Sequence, residues 1–107
     1  MAVITRSLAT TEALRLFGAR VRLARQRRRL TVAQLAERVG VSRTTIQKIE
    51  RGDPGVALGT AFEAATLLGV TLFHSDPDRR RLEAARVDDM LALLPESVRL
   101  TGRDDDF

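Results

Sequence analysis

Residues 31–51 read TVAQLAERVGVSRTTIQKIER. The stretch divides at Gly40 into two short helical patterns, each with its own start signal. Thr31 followed by Gln34 spells a capping box. The threonine oxygen takes a first-turn backbone N–H, and the glutamine oxygen takes the N–H of Thr31. Leu30 and Leu35 are spaced to staple that helix start. Ser42 is a second N-cap residue, with Val41 and Ile46 as its staple. Gly40 falls where a helix C-terminus favours a residue free to take positive φ. The spacing predicts one helix over 32–39 and another over 43–51. Gly52 closes the second, and Asp53-Pro54-Gly55 turns the chain.

Two short helices joined by a tight glycine turn describe a helix-turn-helix, a motif that lays its second helix in the major groove of DNA. Helical periodicity sends Leu35, Ala36 and Val39 inward from the first helix, and Ile46 and Ile49 inward from the second. Arg43, Thr44, Gln47 and Lys48 share the opposite face. Their chemistry suits base edges. Arginine donates two hydrogen bonds to guanine O6 and N7, glutamine pairs with adenine N6 and N7, and threonine meets a thymine methyl. Lys48 can read guanine or meet a phosphate. Thr31, Ser42, Arg51 and the basic knot Arg27, Arg28 and Arg29 are the candidates for phosphate contacts, which position a protein without reading sequence.

Upstream, Leu14, Phe17, Val21 and Ala24 recur every three or four residues and predict a helix over about 11–28, with Glu12 in its first turn. Residues 1–10 form an N-terminal arm, and 11–69 the helix-turn-helix domain. Downstream, Phe62, Ala65 and Leu68 mark the inward face of a helix over 58–68 that stops at Gly69. Val70-Thr71-Leu72-Phe73 is β-branched and aromatic. It reads as a short strand, which needs a partner strand, or as an extended linker with two buried anchors. Asp76-Pro77 looks like an N-cap followed by an N1 proline. A helix over 77–94 follows, with Leu82, Ala85, Met90 and Leu93 on a loose apolar stripe. Residues 95–107 lack periodicity and carry Asp104, Asp105 and Asp106. They are expected to be a flexible acidic tail.

Charge is distributed unevenly. Residues 1–51 carry twelve Arg or Lys against three Glu, whereas residues 52–107 carry six Arg against eleven Asp or Glu. Eleven of the first twelve cations lie between Arg15 and Arg51, on or beside the motif. Such charge could belong to solvated helix faces. Coinciding with a helix-turn-helix, it favours a polyanion partner. The absence of cysteine excludes disulfides and thiolate chemistry, and one histidine makes neither a metal site nor a catalytic dyad. No nucleophile–base–orienter set is spelled out, so the chain reads as a non-enzyme needing no cofactor. No apolar run approaches the ~20 residues of a membrane span. The first residues lack a signal-peptide core, so a cytoplasmic location is expected. Single-stranded RNA is disfavoured, because the chain has no Tyr or Trp and only four Phe to stack on bases.

The segment FGARVRLARQRRRLTVAQLAERVGVSRTTIQKIERGDPGVALGTAFEAATLLGV resembles the Xre or Cro/C1-type helix-turn-helix domain of phage and bacterial repressors. The resemblance spans roughly residues 16–70 and rests on the dense pattern LAxxxGVSxxTIxxIExG. It implies an all-α, lambda-repressor-like bundle of four to five helices and a homodimer on palindromic double-stranded DNA. It also implies an ion pair between Arg25 of the first helix and Glu50 at the end of the recognition helix. Two positions depart from the family. Val32 stands where a phosphate-touching glutamine is frequent, and Ala57 where a serine usually caps the next helix. Within the family, the tract ERGDPGVALGTAFEAATLLGV, the following VTLF and the ending RDDDF are most similar to Hip-type antitoxins. That likeness implies a repressor that also binds a Hip-type kinase toxin and pairs its strand with a second copy through Val70, Leu72 and Phe73. Phe107 is then a candidate docking anchor for the kinase. The alternative is a stand-alone regulator of the same family without a toxin partner.

Overall fold

The computed structural model describes residues 5–95, among which the chain forms five helices: α1 (Leu8–Arg27), α2 (Val32–Val39), α3 (Arg43–Arg51), α4 (Leu58–Leu67) and α5 (Pro77–Ala92). The expected all-α helix-turn-helix bundle is the fold observed, with α2 and α3 bounded as their caps dictate.

Local chemistry sets most of the boundaries. Thr31 and Gln34 complete the capping box, with N–H to oxygen distances of 2.8 and 3.0 Å. Ser42 accepts the N–H of Thr45 at 3.2 Å. Between the two helices Gly40 takes φ 84°, and its N–H and that of Val41 both close on the Ala36 carbonyl, at 2.8 and 3.0 Å. A side chain there would be strained by the left-handed backbone itself, since a Cβ would meet nothing within 4 Å.

α1 begins three residues before the expected start. Ser7 accepts the N–H of Thr10, and the two hydroxyls lie 3.0 Å apart. Glu12 therefore lies beyond the first turn, and the described part of the N-terminal arm outside α1 is Thr5–Ser7. α4 starts at Leu58 with no side-chain cap, as Ala57 dictates.

The described chain divides into two compact units between Leu72 and Phe73. The core of the first unit is Val21, Leu35, Ala36, Ile46, Ile49, Ala64, Ala65 and Leu68. Val21, Leu35 and Ile46 are fully buried, and each contributes about 1.5–3 kcal/mol of apolar transfer. Phe17 and Phe62 tilt against one another at 6.3 Å on its rim. α1 and α3 pack most extensively, and Gly18 makes that possible. A Cβ on Gly18 would lie 2.4 Å from the Ile49 carbonyl oxygen and 2.7 Å from that of Glu50.

No strand forms among the described residues. Val70 and Leu72 are half-buried anchors on the core of the first unit, which is the linker alternative for this segment. Leu72 and His74 make isolated bridges, and Phe73 between them takes φ 67°. In the second unit, Asp76 caps α5 by accepting the N–H of Asp78 at 2.9 Å, with Pro77 at N1. α5 ends at Ala92, two residues short of the expected 94, and buries none of its residues. The stripe Leu82, Ala85, Met90 and Leu93 is exposed. Phe107 and the acidic run lie outside the described residues.

Candidate DNA-binding surface

α3 separates its residues cleanly. Ile46 and Ile49 are buried, while Arg43, Thr44, Gln47 and Lys48 are all exposed. These four occupy positions one, two, five and six of the helix and so share one face. The buried isoleucines fix the rotation of α3 and hence the direction of that face. Packing, not the four exposed residues themselves, therefore aims the surface.

One ion pair locks α3 onto α1. Arg25 Nε donates to Glu50 Oε2 at 2.7 Å and Nη2 to Oε1 at 3.0 Å, a bidentate fork. A third donor, Nη1, meets the Leu30 carbonyl oxygen at 2.9 Å. The two side chains are only 11% and 8% exposed. The hydrogen bonds it donates to Glu50 hold the Arg25 guanidinium above the ordinary arginine range, against burial, which pulls the other way. The pair therefore joins three places at once: the body of α1, the loop before α2, and the end of α3.

Beside the pair, Arg22, Arg25, Val32, Gln47, Glu50 and Arg51 line an open groove of about 420 Å³. Gln47, a candidate reading residue, thus sits at one site with two exposed cations, Arg22 and Arg51. Sequence reasoning singled out Arg51 but not Arg22. The available signal was spacing, since Arg22 lies one turn before Arg25 on α1 and therefore on the same face. Val32 fills the place of the family's glutamine and is half-buried against the core. Its side chain serves packing, leaving the backbone N–H groups at the start of α2 to meet an anion.

The basic knot is divided in the structure. Arg28 caps α1, and its Nη2 lies 3.0 Å from where a Cβ on Gly69 would stand, at the end of α4. A cation suits that helix C-terminus. Arg29 takes φ 56°, the left-handed residue that ends α1, with its N–H on the Gln26 carbonyl at 2.9 Å. Glycine is the usual occupant of such a position. A side chain there costs about 1–2 kcal/mol, against about 0.5–1 kcal/mol of extra chain entropy for glycine. Arg29→Gly is therefore expected to raise thermal stability modestly while weakening DNA binding at low salt. Calorimetry and a binding titration on the same sample check both signs.

Among the described residues no cluster of His, Cys, Asp or Glu could hold a metal ion, and no helix is long and apolar enough to cross a membrane. A compact helical bundle that displays a short, capped, cation-bearing helix beside a basic groove is a helix-turn-helix domain. The helix-turn-helix family HTH_3 matches residues 21–74, just over half of the chain, and the protein belongs to that family. The match places it among folds of DNA-binding transcriptional regulators. No curated protein matches the chain.

Proposed function

We infer that the protein is a sequence-specific transcriptional repressor that reads a palindromic operator as a homodimer, through Arg43, Thr44, Gln47 and Lys48. The observation that carries this reading is the exposed four-residue face of α3, held in one orientation by the Arg25–Glu50 fork. Thr31, Ser42, Arg51 and Arg22 hold the phosphate backbone around the helix, with Arg27, Arg28 and Arg29 as the outer contacts. Such a protein works in the cytoplasm, where its operator lies.

Fluorescence anisotropy with operator and random duplexes tests the assignment. Arg43→Ala is expected to lose about 1–3 kcal/mol on the operator and to relax discrimination at one base pair. Arg51→Ala is expected to weaken both duplexes alike and to lower the slope of log K against log salt by about one. An unchanged operator affinity for Arg43→Ala would remove α3 as the reading element.

The further role is that of antitoxin to a Hip-type kinase, within an operon that the repressor itself controls. The residues ERGDPGVALGTAFEAATLLGV, VTLF and the ending RDDDF support it. Aromatic Phe107 after three aspartates gives an anchor plus steering charge, features suited to a basic groove on another protein. Deleting residues 96–107 is expected to weaken binding to a Hip-type kinase, measured by titration calorimetry. Equal affinity for the full and shortened chains would move the contact to the helical body.

A further inference from the structure

We propose that the exposed face of α5 is an antiparallel, two-fold seam with a second copy of this chain, closed by reciprocal Arg86–Asp89 ion pairs between two leucine layers. The proposal rests on the homodimer reading above and gives it an interface.

The face is defined by spacing. Leu82, Arg86, Asp89 and Leu93 follow one another by four, three and four residues, the interval of a helix-packing seam. Ala85 and Met90 flank them. Leu82 is 70% exposed and Leu93 84%, and Met90 is about half exposed. Within the second unit an open groove of about 590 Å³ runs along this side, lined by Arg79, Leu82, Ala85, Arg86 and Asp89 among others. A helix that buries nothing, yet sets apolar residues at seam spacing, lacks the packing that normally stabilises a helix of this length.

The charges say what covers it. Along α5, Arg81 pairs with Asp78, and Arg80 donates to the His74 carbonyl oxygen. Arg86 and Asp89 carry no ion pair among the described residues. Placing a second α5 antiparallel, with Leu82 opposite Leu93 of the other copy, sets Arg86 opposite Asp89 of the other copy. The two-fold axis repeats both contacts. The same register brings Ala85 opposite Met90 of the other copy, so that the long methionine side chain lies over a small residue. A parallel pairing would instead stack Arg86 on Arg86 and Asp89 on Asp89, so the sequence selects the antiparallel direction. The ends of α5 agree. Its last turn carries no basic residue, against what a lone helix dipole favours, while Arg79 and Arg80 stand beside Asp78 in its first turn. An antiparallel neighbour sets opposite charge and opposite dipole beside each end.

The competing seam, a ladder through Val70–Phe73, meets two obstacles. Val70 and Leu72 are already used as core anchors, and Phe73 leaves the extended region.

A charge-exchange cycle tests the seam. Sedimentation equilibrium of the full chain over about 1–200 µM gives the dimer constant, and circular dichroism confirms helicity. Arg86→Asp and Asp89→Arg are each expected to raise the dimer Kd at least about ten-fold, because each places like charges opposite one another twice. The double variant restores the pairs in exchanged form and returns Kd to within about three-fold of the original. A chain that is monomeric throughout overturns the proposal, as does a dimer indifferent to both reversals, which would place the seam elsewhere. Binding to a single half-site duplex separates this from the DNA reading. It should be unchanged in both variants, and its absence in the unmodified chain would defeat the DNA reading and leave the seam to be judged by sedimentation alone.

Discussion

Glu50→Ala is expected to cost about 3–5 kcal/mol, a large share of the stability of a domain this small. The carboxylate takes two of the three hydrogen bonds that the Arg25 guanidinium donates among the described residues. Without it, a guanidinium remains shielded between α1 and α3 and cannot shed its charge, because arginine does not deprotonate in proteins. Arg25→Ala is expected to be destabilising too, since it leaves the shielded Glu50 carboxylate without its partner. Replacing both residues with apolar ones of similar volume should recover much of the loss. Urea titrations of the two single variants and the double variant give the coupling energy. Additive losses would return both residues to the status of independent surface charges. The pKa of Arg25 is raised, so its stabilising share is complete below the unfolded arginine range and lost only above the folded one. Arg25 therefore adds no slope to stability near neutral pH.

Gly18→Ala is expected to destabilise the domain by about 3 kcal/mol, as overpacking at a rigid contact does. The sign is the informative part. In an exposed helix interior the same change is worth about 1 kcal/mol in the opposite direction, because alanine is the better helix former. Here the added methyl would meet the carbonyl oxygens of Ile49 and Glu50 at 2.4 and 2.7 Å, and backbone cannot rotate aside as a side chain can. α1 and α3 would have to separate. That separation lengthens the Arg25–Glu50 fork and tilts the face carrying Gln47 and Lys48. Operator affinity should therefore fall along with the melting temperature. A variant that melts higher than the parent chain would show that the helices have room to spare.

These two effects differ in how far they can be read from sequence. α2 and α3 are bounded by Thr31, Ser42, Gly40 and Gly52, each acting within one turn of itself, and their limits follow from the sequence directly. The exposed face of α3 follows too, because Ile46 and Ile49 leave only one direction for Arg43, Thr44, Gln47 and Lys48. Gly18 is silent by the same logic. Its role depends on how closely a helix some thirty residues away approaches, which no local pattern encodes. Arg22 joins the groove beside Gln47 only once α1 is laid against α3. Arg29 looks like one member of a basic knot, and only the backbone shows that it closes α1 in a strained conformation. The start of α1 was masked by Glu12, whose charge suits a first turn, while the capping was done upstream by Ser7. At Val70–Phe73, β-branched residues imitate a strand because both a strand and an anchored linker ask for extended backbone and apolar side chains.

The central claim, that α3 reads a specific DNA sequence, is tested most directly by selection from a pool of random duplexes bound to the unmodified chain, followed by sequencing. The account predicts enrichment of an inverted repeat, with half-site centres about 10 base pairs apart or a multiple of that spacing. One position of each half-site should lose its preference when the selection is repeated with Arg43→Ala. Retention of duplexes with no enriched sequence, at an affinity set by salt alone, would show a protein that holds the phosphate backbone without reading bases, and would contradict the assignment of α3 as a recognition helix.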